Sequence, residues 1–397
     1  MEPNTLVLGA MQHCSYKAWQ LAREEIETQP VLDSSKRKQT ISWERKILDA
    51  QLLIAKEVPP PFYQNKHCPE CKYNSSCLAK LKERDCISLL GNMSPKVISR
   101  YNKKGIFSVL QLSHTFRPRR RGSRKPTIAT VYLWELKALA IREQKTYVMY
   151  LPEILDLENC IYIDFEGTQD NSIYLIGGKI KQADKPDISF SFWAENQDEE
   201  ETIFSQFFIL LKEYPEYPIF HYGSYETKAL RRIIKKYPKE SKSLLPGIEK
   251  RMVNVLSYFR TYIYPPIYTN GLKEIASYIG FEWQNSGATG LESLKWREKW
   301  EEEKENRWKE QLIQYNQDDC NALEKVNQWI QLLATGSEKE NIEQVAEMKR
   351  QSPYKFQSNS YNEDYDYINK AAYFDYQRNR IYWRNNKKLA PILVTKN

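Results

Sequence analysis

The chain has 397 residues, 41% of them hydrophobic, and this length suits two or three domains rather than one. No apolar run reaches the roughly 18 residues of a membrane span, and the N-terminus lacks a signal-peptide pattern. Seven cysteines in a chain of this size do not form a secreted disulfide framework, so we expect a cytoplasmic protein whose clustered cysteines hold metal. The formal charge of +8 and the 13% aromatic content suit a DNA or RNA partner, although solubility alone also explains the charge.

Residues 1–85 are expected to form the first module, and residues 1–60 are predicted to be mostly helical because apolar side chains recur every three to four positions before "VPPPF" ends the pattern. The sequence "HCPECKYNSSC" follows and spaces Cys68, Cys71 and Cys77 as C-x2-C-x5-C. Three cysteines within ten residues predict a metal site. Its fourth ligand stays open among three residues, because zinc accepts histidine whereas a four-iron cluster normally uses four thiolates. These residues are Cys14, His67 and Cys86.

Two connecting regions come next. Residues 86–116 predict two short helices joined by a glycine-containing turn, which resembles a helix-hairpin-helix element that grips one phosphate; a small structural helix pair is the alternative. Residues 117–158 predict a basic loop and a connector helix. The loop is expected to bind the phosphate backbone, with a solvated linker as the alternative. Its basic residues are Arg117, Arg119, Arg120, Arg121, Arg124 and Lys125.

Residues 159–335 alternate between strand and helix patterns, which predicts an α/β domain with a mixed sheet flanked by helices. Residues 336–397 form a polar, tyrosine-rich tail without an evident core. The predicted strands are 160–166, 172–180, 187–193 and 217–222. The predicted helices are 201–213, 225–237, 248–259, 271–279 and 305–333.

Acidic residues recur at the predicted ends of these elements. Asp164 and Glu166 leave one strand on the same face, and Tyr315 and Asp319 share one face of the last helix. Glu226 begins a helix directly after a strand, where ligands gather in such folds. A lone Asp-x-Glu motif more often lies on the solvent-exposed face of a strand. Several acids that converge repel one another and need a cation. Carboxylate oxygens are suitable ligands for Mg²⁺ or Mn²⁺. Asp318 directly precedes Asp319 in the sequence, so we expect at least one of these two acids to be exposed.

These motifs resemble the DEDD exonucleases of the ribonuclease-H-like superfamily, in the branch that carries Tyr in its last motif. The resemblance implies phosphodiester hydrolysis by two metal ions in a 3′–5′ exonuclease. We expect Asp164, Glu166, Glu226 and Asp319 to be the metal ligands, and the resemblance assigns Tyr315 as the residue that orients the attacking water. Glu226 stands where the family usually has Asp, which puts the metal geometry and the activity in question.

The order of motifs along the chain, from the cysteines through "CISLLGNMSPK" and "IYIDFEGT" to "YNQDDCNAL", resembles a bacterial RecB-like nuclease family. That family joins an iron–sulfur module to a ribonuclease-H-like domain. The resemblance implies a [4Fe–4S] cluster, with zinc as the alternative, on Cys14, Cys68, Cys71 and Cys77. Only 53 residues separate Cys14 from Cys68, so the N-terminal module is expected to be a shortened nuclease remnant. The alternative function is a nucleic-acid-binding protein of a repair or mobile-element complex whose nuclease site has decayed.

Overall fold

The structure is a computed structural model, in which the chain divides into two units, Met1–Ser108 and Val109–Asn397. Five of the predicted phosphate-binding residues (Arg119, Arg120, Arg121, Arg124 and Lys125) lie outside the described residues, as does most of the tyrosine-rich tail. The described residues are 10–11, 14–22, 48–53, 55, 59–60, 62–65, 67–68, 71–91, 93–118, 132–150, 157–168, 170–237, 245–284, 290–336 and 341–348.

The first unit is helical in its described part, apart from a single bridge between Cys86 and Ser108. Cys14 begins the first helix, since its Sγ accepts a hydrogen bond from the Lys17 amide. Ser94 caps the third helix through the Val97 amide. The helices are Ser15–Leu21 (α1), Asn74–Glu83 (α2) and Pro95–Asn102 (α3).

The second unit holds a mixed sheet whose strands run in the order β4-β3-β2-β5-β6 among the described residues. Strand β2 lies in the middle, antiparallel to β3 and parallel to β5. The predicted α/β fold with a mixed sheet flanked by helices is confirmed. The five strands are Cys160–Gly167 (β2), Ile173–Gln182 (β3), Lys185–Trp193 (β4), Ile219–His221 (β5) and Met252–Asn254 (β6).

Helices cover this sheet on both faces. The described helices are Val109–Ser113 (α4), Trp134–Glu143 (α5), Glu200–Glu213 (α6), Tyr225–Lys236 (α7), Leu245–Arg251 (α8), Leu256–Thr261 (α9), Leu272–Tyr278 (α10), Gly290–Glu303 (α11) and Asn306–Thr335 (α12). No helix in the described part of the chain is both long and apolar enough to cross a membrane.

The alternation of side chains along β2 decides which face carries the acids. Ile161, Ile163 and Phe165 pack into the hydrophobic cluster formed with α6 and α7. Tyr162 packs on the opposite face with Leu323 of α12. The acids of β2 therefore share the face that α12 covers.

The helix predicted over 248–259 is wrong only in its middle, because residues up to Arg251 belong to α8 and residues from Leu256 onward belong to α9. The chain instead forms β6, whose Met252 pairs in parallel register with Ile219 of β5. The Asn254 side chain then accepts hydrogen bonds from the amides of Gly223 and Leu256, which fixes the turn into α9. Pairing with a distant strand overrides the local helical pattern here.

A second, smaller sheet has the order β7-β1-β8 in the described residues. Its strands are Thr146–Val148 (β1), Ile263–Tyr264 (β7) and Ile342–Gln344 (β8). Strand β8 runs parallel to β1. The segment after residue 335 thus contributes a strand to this unit, which the polar composition of the region did not indicate.

Candidate metal centre

Three carboxylates meet where β2 and α12 cross. Asp164 and Glu166 come from β2, and Asp319 comes from α12, which packs against β2 and β3. One oxygen of each carboxylate lies within 4.8 Å of the others. Among the described residues, this is the one group of three or more His, Cys, Asp or Glu ligand atoms that is so close. We call it the acid cluster.

The acid cluster is electrostatically costly in the absence of a cation. Burial raises the pKa of Glu166 to about 8, and the charge of Asp319 adds to the effect. Burial likewise raises the pKa of Asp319 to about 6 and holds the pKa of Asp164 well above its usual range. Carboxylates that repel one another in a buried position are stabilised by a divalent cation, and their hard oxygen donors fit Mg²⁺ or Mn²⁺.

Asn316 orients Asp164. Its Nδ2 donates to Asp164 Oδ2 at 2.8 Å and to the Asp164 carbonyl oxygen at 3.0 Å. Gly177 lies opposite Asp164 in the β2–β3 register, and a Cβ there would stand 1.6 Å from Asn316 Oδ1. Because Gly177 has no side chain, Asn316 can occupy the space above this position of β3. The sequence reasoning missed Asn316, although a glycine on the strand that follows the two acids was a visible signal.

Tyr315 is buried beside the cluster, as its spacing from Asp319 implied. Its ring packs edge-on against Trp296 with centroids 6.0 Å apart. Burial raises the pKa of the Tyr315 hydroxyl, and the charges of Asp319, Glu166 and Asp164 raise it further. The Tyr315 hydroxyl thus lies in the electrostatic field of all three carboxylates.

Asp318 and Asp319 are both buried, with exposures of 4% and 9%, so the expectation that one of them is exposed is wrong. Each acid has hydrogen-bond donors that replace water. Trp283 Nε1 donates to Asp319 Oδ1 at 2.7 Å, and the Gln284 amide donates to Asp318 Oδ2 at 3.0 Å. Gln314 Nε2 donates to the other Asp318 oxygen.

Glu226 lies near the acid cluster but is not a member of it. It is 2% exposed in the first turn of α7, and its Oε2 lies 3.2 Å from Nδ1 of His221 at the end of β5. Its charge raises the pKa of Asp164 and Glu166, which places it in their neighbourhood. Sequence reasoning missed His221, although a histidine ends the strand five residues before Glu226.

Helix α11 closes another side of the cluster. Ser293 Oγ donates to Glu166 Oε2 at 3.4 Å. One turn later, the buried Arg297 donates to the carbonyl oxygens of Ala194 and Glu195. Its guanidinium also lies within 5.0 Å of three ring centroids, those of Tyr174, Trp193 and Trp300.

In the first unit, four cysteines line one cavity of about 190 Å³: Cys14, Cys68, Cys71 and Cys77. Two of their sulfurs accept backbone amide hydrogen bonds, Cys14 from Lys17 and Cys68 from Asn65. Burial raises the pKa of the Cys68 and Cys77 thiols, and the other cysteines of the set raise it further. His67 also lines this cavity, whereas Cys86 Sγ lies 3.3 Å from Ser88 Oγ.

Of the predicted phosphate-binding residues, only Arg117 lies within the described part of the chain. Its guanidinium donates to the carbonyl oxygens of His114 and Phe116. Its side chain is therefore engaged locally.

Residues 161–331 match the RNase_H_2 family of the RNase H superfamily. The match runs from β2 into α12 and includes all of the acid cluster, but it spans less than half of the chain. No curated protein and no solved structure matches the chain. Together with the mixed sheet, the match assigns a ribonuclease-H-like fold to this segment and supports a nuclease-like domain that acts on nucleic acid.

Proposed function

We propose that the chain is a metal-dependent nuclease that hydrolyses phosphodiester bonds of DNA or RNA, working as a 3′–5′ exonuclease. One observation carries the proposal: the acid cluster gathers carboxylates from two distant elements inside the segment that matches the RNase H superfamily. A half-buried group of this kind suits a cation, and the cation suits a phosphate substrate.

Each residue has a distinct role in this proposal. Asp164, Glu166 and Asp319 hold Mg²⁺ or Mn²⁺, which when bound activates water and stabilises charge on the phosphate. Tyr315 orients the attacking water from its position in the field of these acids. In the two-ion form of the mechanism, Glu226 would have to turn from His221 to become the fourth ligand.

The second candidate is a nucleic-acid-binding protein of a repair or mobile-element complex whose nuclease site has decayed. The hydrogen bond between Glu226 and His221 favours it, because this bond holds the unusual glutamate outside the acid cluster. Under this alternative, the protein binds nucleic acid with or without divalent metal.

The test is degradation of end-labelled single- and double-stranded DNA and RNA by the full chain with Mn²⁺. We expect Asp164→Asn to abolish cleavage while binding in a filter assay persists. Asp184→Asn changes an exposed acid in the β3–β4 turn and serves as the matched control, with cleavage at the wild-type rate. Wild-type protein that binds but never cleaves would favour the decayed alternative. Cleavage that survives Asp164→Asn would refute the assigned site.

We also propose that the four cysteines hold a [4Fe–4S] cluster, in keeping with the RecB-like resemblance and a reducing, cytoplasmic compartment. Tetrahedral zinc binds thiolates at about 2.3 Å and would bring their sulfurs within roughly 4 Å of one another. No three of the four sulfurs lie within 4.8 Å in the described residues, although all four line one cavity. This wider spacing favours the cluster over the zinc alternative.

A further inference from the structure

A cavity of about 350 Å³ lies beside the acid cluster, between the β2–β3 turn and helix α11, and we call it the α11 cavity. Thr168 in its wall comes two residues after Glu166, which is roughly 7 Å along an extended chain. In the opposite wall, Leu294 directly follows Ser293, whose Oγ lies 3.4 Å from Glu166 Oε2. Both walls therefore begin beside Glu166, and a nucleotide whose phosphate lies at the acid cluster can reach this space.

Tyr174 lines the α11 cavity and is only 2% exposed. Its hydroxyl oxygen is buried and has no hydrogen-bond partner among the described residues. A buried polar group without a partner is costly, so a ligand atom that hydrogen-bonds to this hydroxyl is favoured. Ile173 and Leu294 add apolar surface to the same walls, which a flat, largely apolar ring can cover.

The charges of the α11 cavity disfavour a phosphate group. Among its described lining residues, Arg297 is the one cation, and three carboxylates accompany it: Asp170, Glu298 and Glu301. Arg297 Nε donates to Glu301 Oε1 at 2.8 Å, and its Nη1 and Nη2 donate to backbone carbonyl oxygens. Because Arg297 and Glu301 neutralise each other, Asp170 and Glu298 leave the cavity with negative charge. Such a surface repels a phosphate but accepts the neutral base of a nucleotide.

We propose that the α11 cavity binds the base of the nucleotide next to the scissile phosphate and prefers bases that carry an exocyclic amino group. This inference rests on the proposed nuclease function. Carboxylate oxygens only accept hydrogen bonds, and Asp170 keeps further lone pairs beside the bond that it accepts from Thr168. Adenine, cytosine and guanine present amino donors, whereas thymine and uracil present carbonyl oxygens and no amino group. Asp170 and Glu298 are thus the residues that determine the preference.

Binding of adenosine, cytidine and uridine to the full chain tests the preference without metal or cleavage. Ligand-observed NMR titrations in EDTA should show that adenosine and cytidine bind about tenfold more tightly than uridine, as one additional hydrogen bond predicts. Asp170→Asn/Glu298→Gln replaces two exposed acids by amides that can also donate, so the preference should fall below about threefold. Asp184→Asn/Glu302→Gln removes the same charge from exposed positions outside the cavity and should keep the tenfold preference.

Tyr174→Phe should weaken adenosine binding by about fivefold, because the nucleoside loses its hydroxyl partner. Tyr162→Phe is the matched control, since it removes the hydroxyl of another buried tyrosine, which packs with Leu323 in a separate hydrophobic cluster. This control should leave adenosine binding unchanged.

Cleavage with Mn²⁺ tests where the bound base lies. At low substrate concentration, 5′-labelled strands that end in C should be degraded about tenfold faster than strands that end in T or U. Equal binding of adenosine and uridine, no nucleoside binding, or a preference that survives Asp170→Asn/Glu298→Gln would overturn the inference, as would equal cleavage rates. If wild type binds the nucleosides selectively but never cleaves, the nuclease function fails while the base preference of the cavity stands.

Discussion

At the scale of single residues, the glycine at position 177 and the asparagine at position 316 form one unit. Gly177 has no side chain, and the space above its Cα is taken by Asn316 Oδ1, whose amide nitrogen holds Asp164. A carboxylate that must bind metal needs a fixed orientation, and neighbouring hydrogen bonds provide it.

Asn316→Ala should weaken Mn²⁺ binding by about 10- to 100-fold, because Asp164 loses both hydrogen bonds that orient it. Calorimetric titration with Mn²⁺ measures the effect. Asn321→Ala on the same helix, which removes an acceptor for Lys179, is the control and should leave the affinity unchanged. Equal affinities in wild type and Asn316→Ala would show that Asp164 needs no such support.

Gly177→Ala should destabilise the fold by about 1 to 3 kcal/mol, since the new methyl group collides with Asn316. Chemical denaturation measures this loss. In the Asn316→Ala background, the same change should cost clearly less, because the colliding atoms are gone. If Gly177→Ala lowered the free energy of unfolding equally in the wild-type and Asn316→Ala backgrounds, the two residues would not share the space.

The raised pKa values of the acid cluster predict how stability depends on pH. Glu166 and Asp319, with pKa values of about 8 and about 6, hold their protons more tightly in the folded state than in the unfolded chain. The metal-free protein should therefore lose stability as pH rises from about 5 to about 8. Melting temperatures measured in EDTA across this pH range give the dependence of stability on pH. Glu166→Gln should make that dependence weaker. Added Mn²⁺ should raise the melting temperature most at the high end of this range; a metal-free protein that gains stability with pH would contradict the assignment.

At the scale of secondary-structure elements, the sequence predicted those strands and helices whose formation follows from local hydrophobic periodicity. The strand at 160–166 and its alternation, the helix at 225–237 and the long final helix all have close counterparts in the structure. The predicted helix at 248–259 is interrupted at Met252–Asn254, where β6 forms by pairing with β5, a non-local interaction that no local pattern carries. The interaction of Glu226 with His221 is local, five residues apart along the chain, but it depends on the turn between β5 and α7. Convergence of Asp319 with the β2 acids was expected from their positions on the predicted strand and helix, and the structure brings these three carboxylates together.

Helix α11 shows how an element outside the sheet supports the centre. Arg297 joins it to the end of β4 through the carbonyl oxygens of Ala194 and Glu195 and through the Trp193 ring, and to β3 through the Tyr174 ring. Arg297→Ala should reduce the free energy of unfolding by about 2 to 4 kcal/mol, because it leaves buried acceptors without donors. Lys295→Ala, on the exposed face of the same helix, should change it by less than about 0.5 kcal/mol. Similar losses in both variants, measured by denaturant unfolding, would contradict this role.

At the scale of the whole molecule, the two candidate centres are built in different units. The acid cluster lies wholly in the second unit, and the cysteine cavity lies wholly in the first. The sequence predicted both sets of candidate ligands but left the fourth ligand of the cysteine site open among Cys14, His67 and Cys86. The structure places Cys14 in the cavity, beside three cysteines more than fifty residues away along the chain.

Anaerobically purified protein should show a broad visible absorption band, and Cys71→Ser should abolish it. Cys14→Ser should weaken or abolish the band, whereas Cys86→Ser should keep it, since Cys86 contacts Ser88. Mn²⁺ binding to the acid cluster should be unchanged in Cys71→Ser, because its ligands belong to the other unit. A colourless protein that contains stoichiometric zinc would refute the iron–sulfur proposal.

The hydrogen bonds from Asn316 to Asp164 join residues 152 positions apart. Closing so long a loop costs chain entropy and slows folding, so this contact forms only after most of the intervening strands and helices have been synthesised. A nascent chain on the ribosome therefore has no assembled acid cluster until α12 has emerged. Any cutting activity is therefore withheld from nucleic acid around the ribosome until α12 has been synthesised.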